Sequence, residues 1–181
     1  SIGDYAAVAS GSGAVTVNVN GAALPVLTPA LTAGGDYTLL VWGDPSLYDS
    51  TLRIAARLPG VAVKVIPGIT SLQALTAAHA IPLNTLAAPV TITTGRQLRD
   101  HGWPEGAVTL AVMLDKGGAF TTLDPEGVTI WWGAYVGMPE ETLIHGPLAE
   151  VSQEILATRA TLRAEHGWIM DIYLLRRGGD V

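Results

Sequence analysis

Apolar residues change their spacing near Trp42. Before it, AVTVNVNG (Ala14 to Gly21) alternates with a period of two, the pattern of a half-buried strand. That stretch ends on Asn20-Gly21, a hairpin turn signal. DYTLLVW (Asp36 to Trp42) follows the Gly34-Gly35 turn and reads as a further strand. Residues 1–41 are therefore expected to form a β-rich segment without a helix. After Trp42, strand and helix patterns alternate. Asp44-Pro45 predicts a helix start, because Asp accepts free N–H groups and Pro suits the first turn. Leu47, Ile54, Ala55 and Leu58 share one face of that helix, which stops near Pro59-Gly60. VAVKVI (Val61 to Ile66) predicts a strand and Pro67-Gly68 a turn. Thr70 or Ser71 then caps a helix running to about Ala80, with Leu72 and Leu75 on its apolar face.

VTITT (Val90 to Thr94) predicts a strand, followed by a short helix around Gln97. VTLAVML (Val108 to Leu114) is almost continuously apolar, which predicts a strand buried on both faces. GVTIWWGAY (Gly127 to Tyr135), ETLIHG (Glu141 to Gly146) and WIMDIYLL (Trp168 to Leu175) predict three more strands. Between the last two lies a helix from about Leu148 to Glu165, with Leu148, Val151, Ile155 and Leu162 on one side. Strands alternating with helices predict an α/β fold built around a sheet. The predicted division is a β-rich segment, 1–41, and an α/β region, 42–181.

Charge follows the same division. Asp4 and Asp36 are the charged residues of 1–41, and the first basic residue is Arg53. The net charge of −6 argues against binding nucleic acid through its phosphates. With 49% hydrophobic residues the chain can build a core. With no cysteine it has no disulfide, thiolate metal site or Cys nucleophile. No apolar run is long enough to span a bilayer, and SIGDYAAVAS lacks the basic start and apolar core of a secretory signal. The expectation is a cytoplasmic protein without a membrane partner.

Five stretches carry a more specific signal when taken in order: LLVWGDPSLYDSTLRIA, VIPGITSLQALTAAHAIPLN, TITTGRQLRDHGWPEG, IWWGAYVGMPEETLIHGPLAEV and HGWIMDIYLLRR. Together they resemble the tetrapyrrole (corrin/porphyrin) methylases, most of all the precorrin-6A synthase branch of cobalamin biosynthesis. The resemblance runs from about residue 39 to 177. It implies an α/β fold with a mixed sheet and flanking helices, in two domains with a cofactor cleft between them. It also implies a methyltransferase that uses S-adenosylmethionine on a tetrapyrrole (precorrin) and releases an acetyl group as acetate. The family's opening Gly-rich loop has no counterpart here, and the β-rich segment stands in its place. From this follow three expectations: a chimeric joint near Leu39 to Gly43, weakened catalysis, and self-association through uncovered surface. The alternative is a non-catalytic α/β structural or assembly domain.

Methyl transfer from a sulfonium is an in-line displacement, so a site for it needs alignment and dryness rather than an acid–base triad. Glycine turns that let the backbone approach the cofactor are the first requirement. By resemblance Gly43, Asp44 and Leu47 line the cofactor site. Thr70 and Ser71 of the PGITS turn contact it as well, and so do Met113 at a strand end and His145 in IHG. Residue type alone reads Asp44 as a helix cap and Met113 as core. His79, His101 and His166 show no metal-ligand spacing, so no metal is expected. Ser71, His145 and Asp115 lack the G-x-S-x-G elbow of a triad. Trp131 and Trp132 are candidates for lining a macrocycle pocket, with the core as the commoner place for such residues. Arg96, Arg99, Arg176 and Arg177 are candidates for pairing with substrate carboxylates. No catalytic acid or base is assigned.

Overall fold

The computed structural model describes residues 41–57, 60 and 62–178, with three short strands ahead of them. In chain order the first elements are β1 (Ala9–Ser10), β2 (Val17–Val19), β3 (Ala22–Leu24), α1 (Thr51–Ala55) and β4 (Ala62–Val63). They are followed by α2 (Ser71–Ala78), β5 (Val90–Thr94), α3 (Gly95–His101), β6 (Thr109–Met113), β7 (Val128–Ala134), β8 (Thr142–Pro147), α4 (Leu148–His166) and β9 (Asp171–Arg177). The chain divides into two compact units, Ser1–Thr70 and Ser71–Val181. That division lies C-terminal to the 41/42 boundary suggested by composition.

In the first unit β2 pairs antiparallel with β3, Val19 facing Ala22. The two residues between them are Asn20 and Gly21, which lie outside the described residues, as does most of the Asp36 to Trp42 strand. The helix expected from Asp44 does not begin there. Tyr48 takes φ +51°, a left-handed conformation that a helix cannot continue through, and α1 starts at Thr51. The Asp49 carboxylate accepts from the Thr51 N–H at 2.6 Å. Leu58, Pro59 and Val61 lie outside the described residues. The strand expected over 61–66 is reduced to Ala62–Val63, paired with β1. A strand requires a partner for its main-chain groups as well as an apolar sequence.

The second unit holds a five-stranded mixed sheet in the order β5-β6-β9-β7-β8. β5 and β6 are parallel, and every other neighbouring pair is antiparallel. The most apolar segments take the central places. Leu110, Ala111 and Val112 of β6 and Ile172 to Leu175 of β9 are buried, as the continuous hydrophobic runs require. One face of the sheet packs Leu110, Ile130, Trp132 and Tyr173 against Leu148 and Ile155 of α4, with Val151 and Leu162 partly buried beside them. Helix α2 covers part of the other face, over β7 and β9. Gly167, at φ +75°, ends α4 with its N–H on the Arg163 carbonyl.

The strand expected from Trp168 begins three residues later. Tyr135 holds the intervening segment instead: its N–H donates to the Met170 carbonyl at 2.9 Å and its hydroxyl to the Trp168 carbonyl at 2.6 Å. A buried polar group joins α4 to the sheet. Arg159 pairs with Asp171 at 2.7 Å and also donates to the Asp115 carbonyl, while Trp132 Nε1 donates to Asp171. Among the described residues no helix is long and apolar enough to cross a membrane.

Candidate functional site

The first unit brings two motif turns into contact. Gly43 takes φ +73°, and the following Asp44 turns its carboxylate back on its own loop. Oδ1 accepts from the N–H and the hydroxyl of Ser46. Oδ2 accepts from the main-chain N–H of Gly68 at 2.9 Å. The Ser46 hydroxyl, then the N–H groups of Gly68 and Ser46, hold the Asp44 carboxyl below its ordinary value, so it is ionised at neutral pH. Asp44 is therefore a clasp between turns and not the helix cap expected from its position before a proline.

Gly68 can occupy its place only as glycine. A Cβ there would lie 2.1 Å from the Gly43 carbonyl oxygen. Leu47 closes the first turn, its N–H on the Asp44 carbonyl, and its side chain is half-buried. Thr70, also half-buried, ends the unit. Ile66 and Ile69 flank the Pro67-Gly68 turn and are 70% and 76% exposed. The turn pair thus offers main chain, small polar groups and apolar side chains on one short stretch. It contains no buried acid or base.

The second unit carries the remaining candidates. Ser71 is the first residue of α2. Met113 ends β6 beside Thr94, the last residue of β5, and is half-buried rather than core. His145 lies on edge strand β8, opposite Trp131, and is exposed. Register places Met113 and His145 on the same sheet face, the one bearing Ala111, Leu174 and Trp131. Three strand spacings and a two-residue step along the strand, together about 16 Å, separate them. They are not neighbours.

Several sequence candidates have structural duties instead. Trp131 and Trp132 are both buried, Trp132 within the main core cluster. Arg99 pairs with Asp115 at 2.7 Å. Arg176 is buried, donates to the Pro82 and Leu83 carbonyls and stacks over Trp131. Arg177 lies over the Trp103 ring at 4.1 Å. Arg96 alone of the four is exposed with no such contact among the described residues. Sequence reasoning named Gly68 only as a turn residue and missed its bond to Asp44. Ser46 and His79 were also missed. His79 directly follows α2, and its Nε2 is 3.0 Å from the Trp132 carbonyl while its ring meets His145. A glycine after proline is a visible signal, whereas the pairing of two histidines far apart in sequence leaves none.

Comparison with known proteins agrees with the motif reading. The family described as Tetrapyrrole (Corrin/Porphyrin) Methylases matches residues 13–152, a range that takes in most of the β-rich opening segment. A precorrin-6A synthase [deacetylating] from Sinorhizobium sp is 52% identical over 160 residues, covering 86% of this chain and 61% of the relative. A crystal structure of a cobalamin synthesis related protein (CobF) from Corynebacterium diphtheriae shares 44% identity at a TM-score of 0.69, over 76% of this chain and 60% of that one. Uroporphyrin-III-C-methyltransferase from Thermus thermophilus, 21% identical at a TM-score of 0.53 over 75% of this chain and 58% of that one, shares the fold. This chain therefore spans about three fifths of the length of the relatives it matches.

Proposed function

This chain belongs to the tetrapyrrole (corrin/porphyrin) methylases, and on that premise we propose that it serves an S-adenosylmethionine-dependent C-methyltransferase acting on a precorrin. The observation that carries the proposal is the clasp between the GDP and PGIT turns, with Asp44 holding the Gly68 N–H at 2.9 Å. These are the two turns that the family resemblance assigns to the cofactor. The 52% identity to a deacetylating precorrin-6A synthase supports the substrate class.

The residues present fit such a cofactor. The turns are glycine-bearing and exposed, and Ile66 and Ile69 offer apolar surface for an adenine. Gly43, Asp44, Leu47, Thr70, Ser71, Met113 and His145 are the proposed contacts. When bound, S-adenosylmethionine supplies a methyl group already activated by its sulfonium. The chain's own task is then alignment: rigid turns fix the orientation of the bound group, and apolar side chains exclude water. Asp44 contributes by holding the loops rather than by moving a proton, since its hydrogen-bond partners are donors from the two turns. Calorimetric titration with S-adenosylhomocysteine tests this. Saturable one-site binding, weakened by Thr70→Val, supports the proposal. No heat from a cooperatively folded chain overturns it.

A further inference from the structure

Helix α2 approaches strand β7 closely because position 133 is glycine. A Cβ on Gly133 would lie 2.8 Å from Leu75 Cδ1 and 3.1 Å from Val136 Cγ1. Residue 79 follows Leu75 by four positions, so the two share a helix face. From there the His79 ring reaches the main chain of the sheet, with Nε2 3.0 Å from the Trp132 carbonyl oxygen. A carbonyl only accepts, so Nε2 carries the proton and the neutral ring has its lone pair on Nδ1. Burial pushes the His79 ring down from its ordinary value; the bond to Trp132 and the nearby Glu141 oppose this, and His145 adds to it. A neutral ring at neutral pH is the result.

The neighbour of that ring is His145. The two imidazoles meet edge to face, centroids 5.8 Å apart and planes at 72°. His145 itself is exposed on an edge strand, and its ring makes no hydrogen bond among the described residues. Both its nitrogens remain open to a ligand. An exposed ring without such a neighbour samples several rotamers and loses that freedom on binding.

We propose that His79 is a positioning residue that holds the His145 ring in the orientation with which it meets the adenosyl group. This inference rests on the reading of His145 as a cofactor contact. Helix α2 would then serve the site at both ends, through Ser71 at its start and His79 just past its last turn.

The test uses His79→Gln, which keeps an N–H donor near the Nε2 position for the Trp132 carbonyl but removes the ring. Thermal unfolding of this variant should match the original chain. S-adenosylhomocysteine affinity should fall about three- to tenfold, and the His145 ring resonances of the ligand-free chain should shift in NMR spectra. In a background of His145→Ala, adding His79→Gln should weaken binding no further. Unchanged affinity in His79→Gln, or the same loss with and without His145, overturns the inference while leaving the cofactor site intact. Failure of the original chain to bind at all overturns the cofactor reading and this inference with it.

Discussion

The carboxylate of Asp44 accepts the N–H of Gly68, 24 residues further along the chain, at 2.9 Å. One oxygen is committed to Ser46 and the other to Gly68, so the group has no donor role. Asp44→Asn presents an amide NH2 to one of these N–H donors and removes the charge. Because the site is exposed, the expected loss is in ligand binding: about three- to tenfold weaker S-adenosylhomocysteine affinity by calorimetry. Asp44→Asn at full affinity would mean that the clasp does not order the turns for ligand.

Gly68→Ala is the harsher change to the same contact. A Cβ at 2.1 Å from the Gly43 carbonyl meets main chain rather than a flexible side-chain end, so one turn must move. Asp44 then loses its bond to residue 68. Binding should be lost within the range a titration can measure, while circular dichroism should keep its strand and helix signal.

Much of this arrangement was legible in the sequence where local pattern and packing agree. The runs TLAVM and IYLL became the central strands because they have apolar side chains for both faces. The Leu148, Val151, Ile155 and Leu162 face packs on the sheet as its spacing predicts. Legibility ended where a distant partner decided the outcome. Asp44-Pro45 has the chemistry of a helix start, but the left-handed Tyr48 stops it and Gly68 gives the carboxylate another partner. VAVKVI has the chemistry of a strand, but a short pairing with β1 is the extent of it. Arg99, Arg176 and Arg177 looked available in sequence because a guanidinium does not announce its partner. The proposed contacts Thr70, Ser71, Met113 and His145 came from motif resemblance, which residue patterns alone do not supply.

Gly95 opens α3 directly against Asp115. A Cβ there would lie 2.3 Å from both the carboxylate carbon and Oδ1 of Asp115. Gly95→Ala should therefore push that carboxylate away from Arg99 and the N–H groups of Gly117 and Ala119. The expected cost is about 2 to 4 kcal/mol, read from urea unfolding. A stability within error of the original chain would show that the loop after β6 moves freely.

Arg176 tests a buried cation without a carboxylate. Its guanidinium donates to Thr109 and to the carbonyls of Pro82 and Leu83, and burial pushes its pKa down. Its Nη1 has no partner among the described residues. Arg176→Lys keeps the charge but loses the planar fork and its stack on Trp131. A loss of about 1 to 3 kcal/mol is expected. Arg176→Met should be milder than Arg176→Lys, because it leaves no charge to bury. The reverse order in equilibrium unfolding would show that the charge itself is stabilised here.

Tyr173 and Asp115 give the acid dependence of the fold. Burial alone would raise the Asp115 carboxyl. Bonds from the Tyr173 hydroxyl, from the N–H groups of Ala119 and Gly117, and from Arg99 outweigh it and hold the group below its ordinary value. A carboxyl depressed in the folded state stabilises fully above its unfolded pKa. That contribution is lost as pH falls through the lower, folded value. Burial, and then the Asp115 charge, push the Tyr173 hydroxyl well above its ordinary value, so it stays a donor throughout this range. Tyr173→Phe removes the 2.7 Å bond to Asp115 while the carboxyl stays buried. Its folded pKa then rises, and its contribution at neutral pH shrinks by about 1 to 3 kcal/mol. Urea unfolding from pH 7 down to about pH 3 should show the variant losing stability at a higher pH than the original chain. Parallel curves, offset equally at every pH, would mean that the hydroxyl does not set the titration of the Asp115 carboxyl, since the ring contact with Phe120 is kept in both chains.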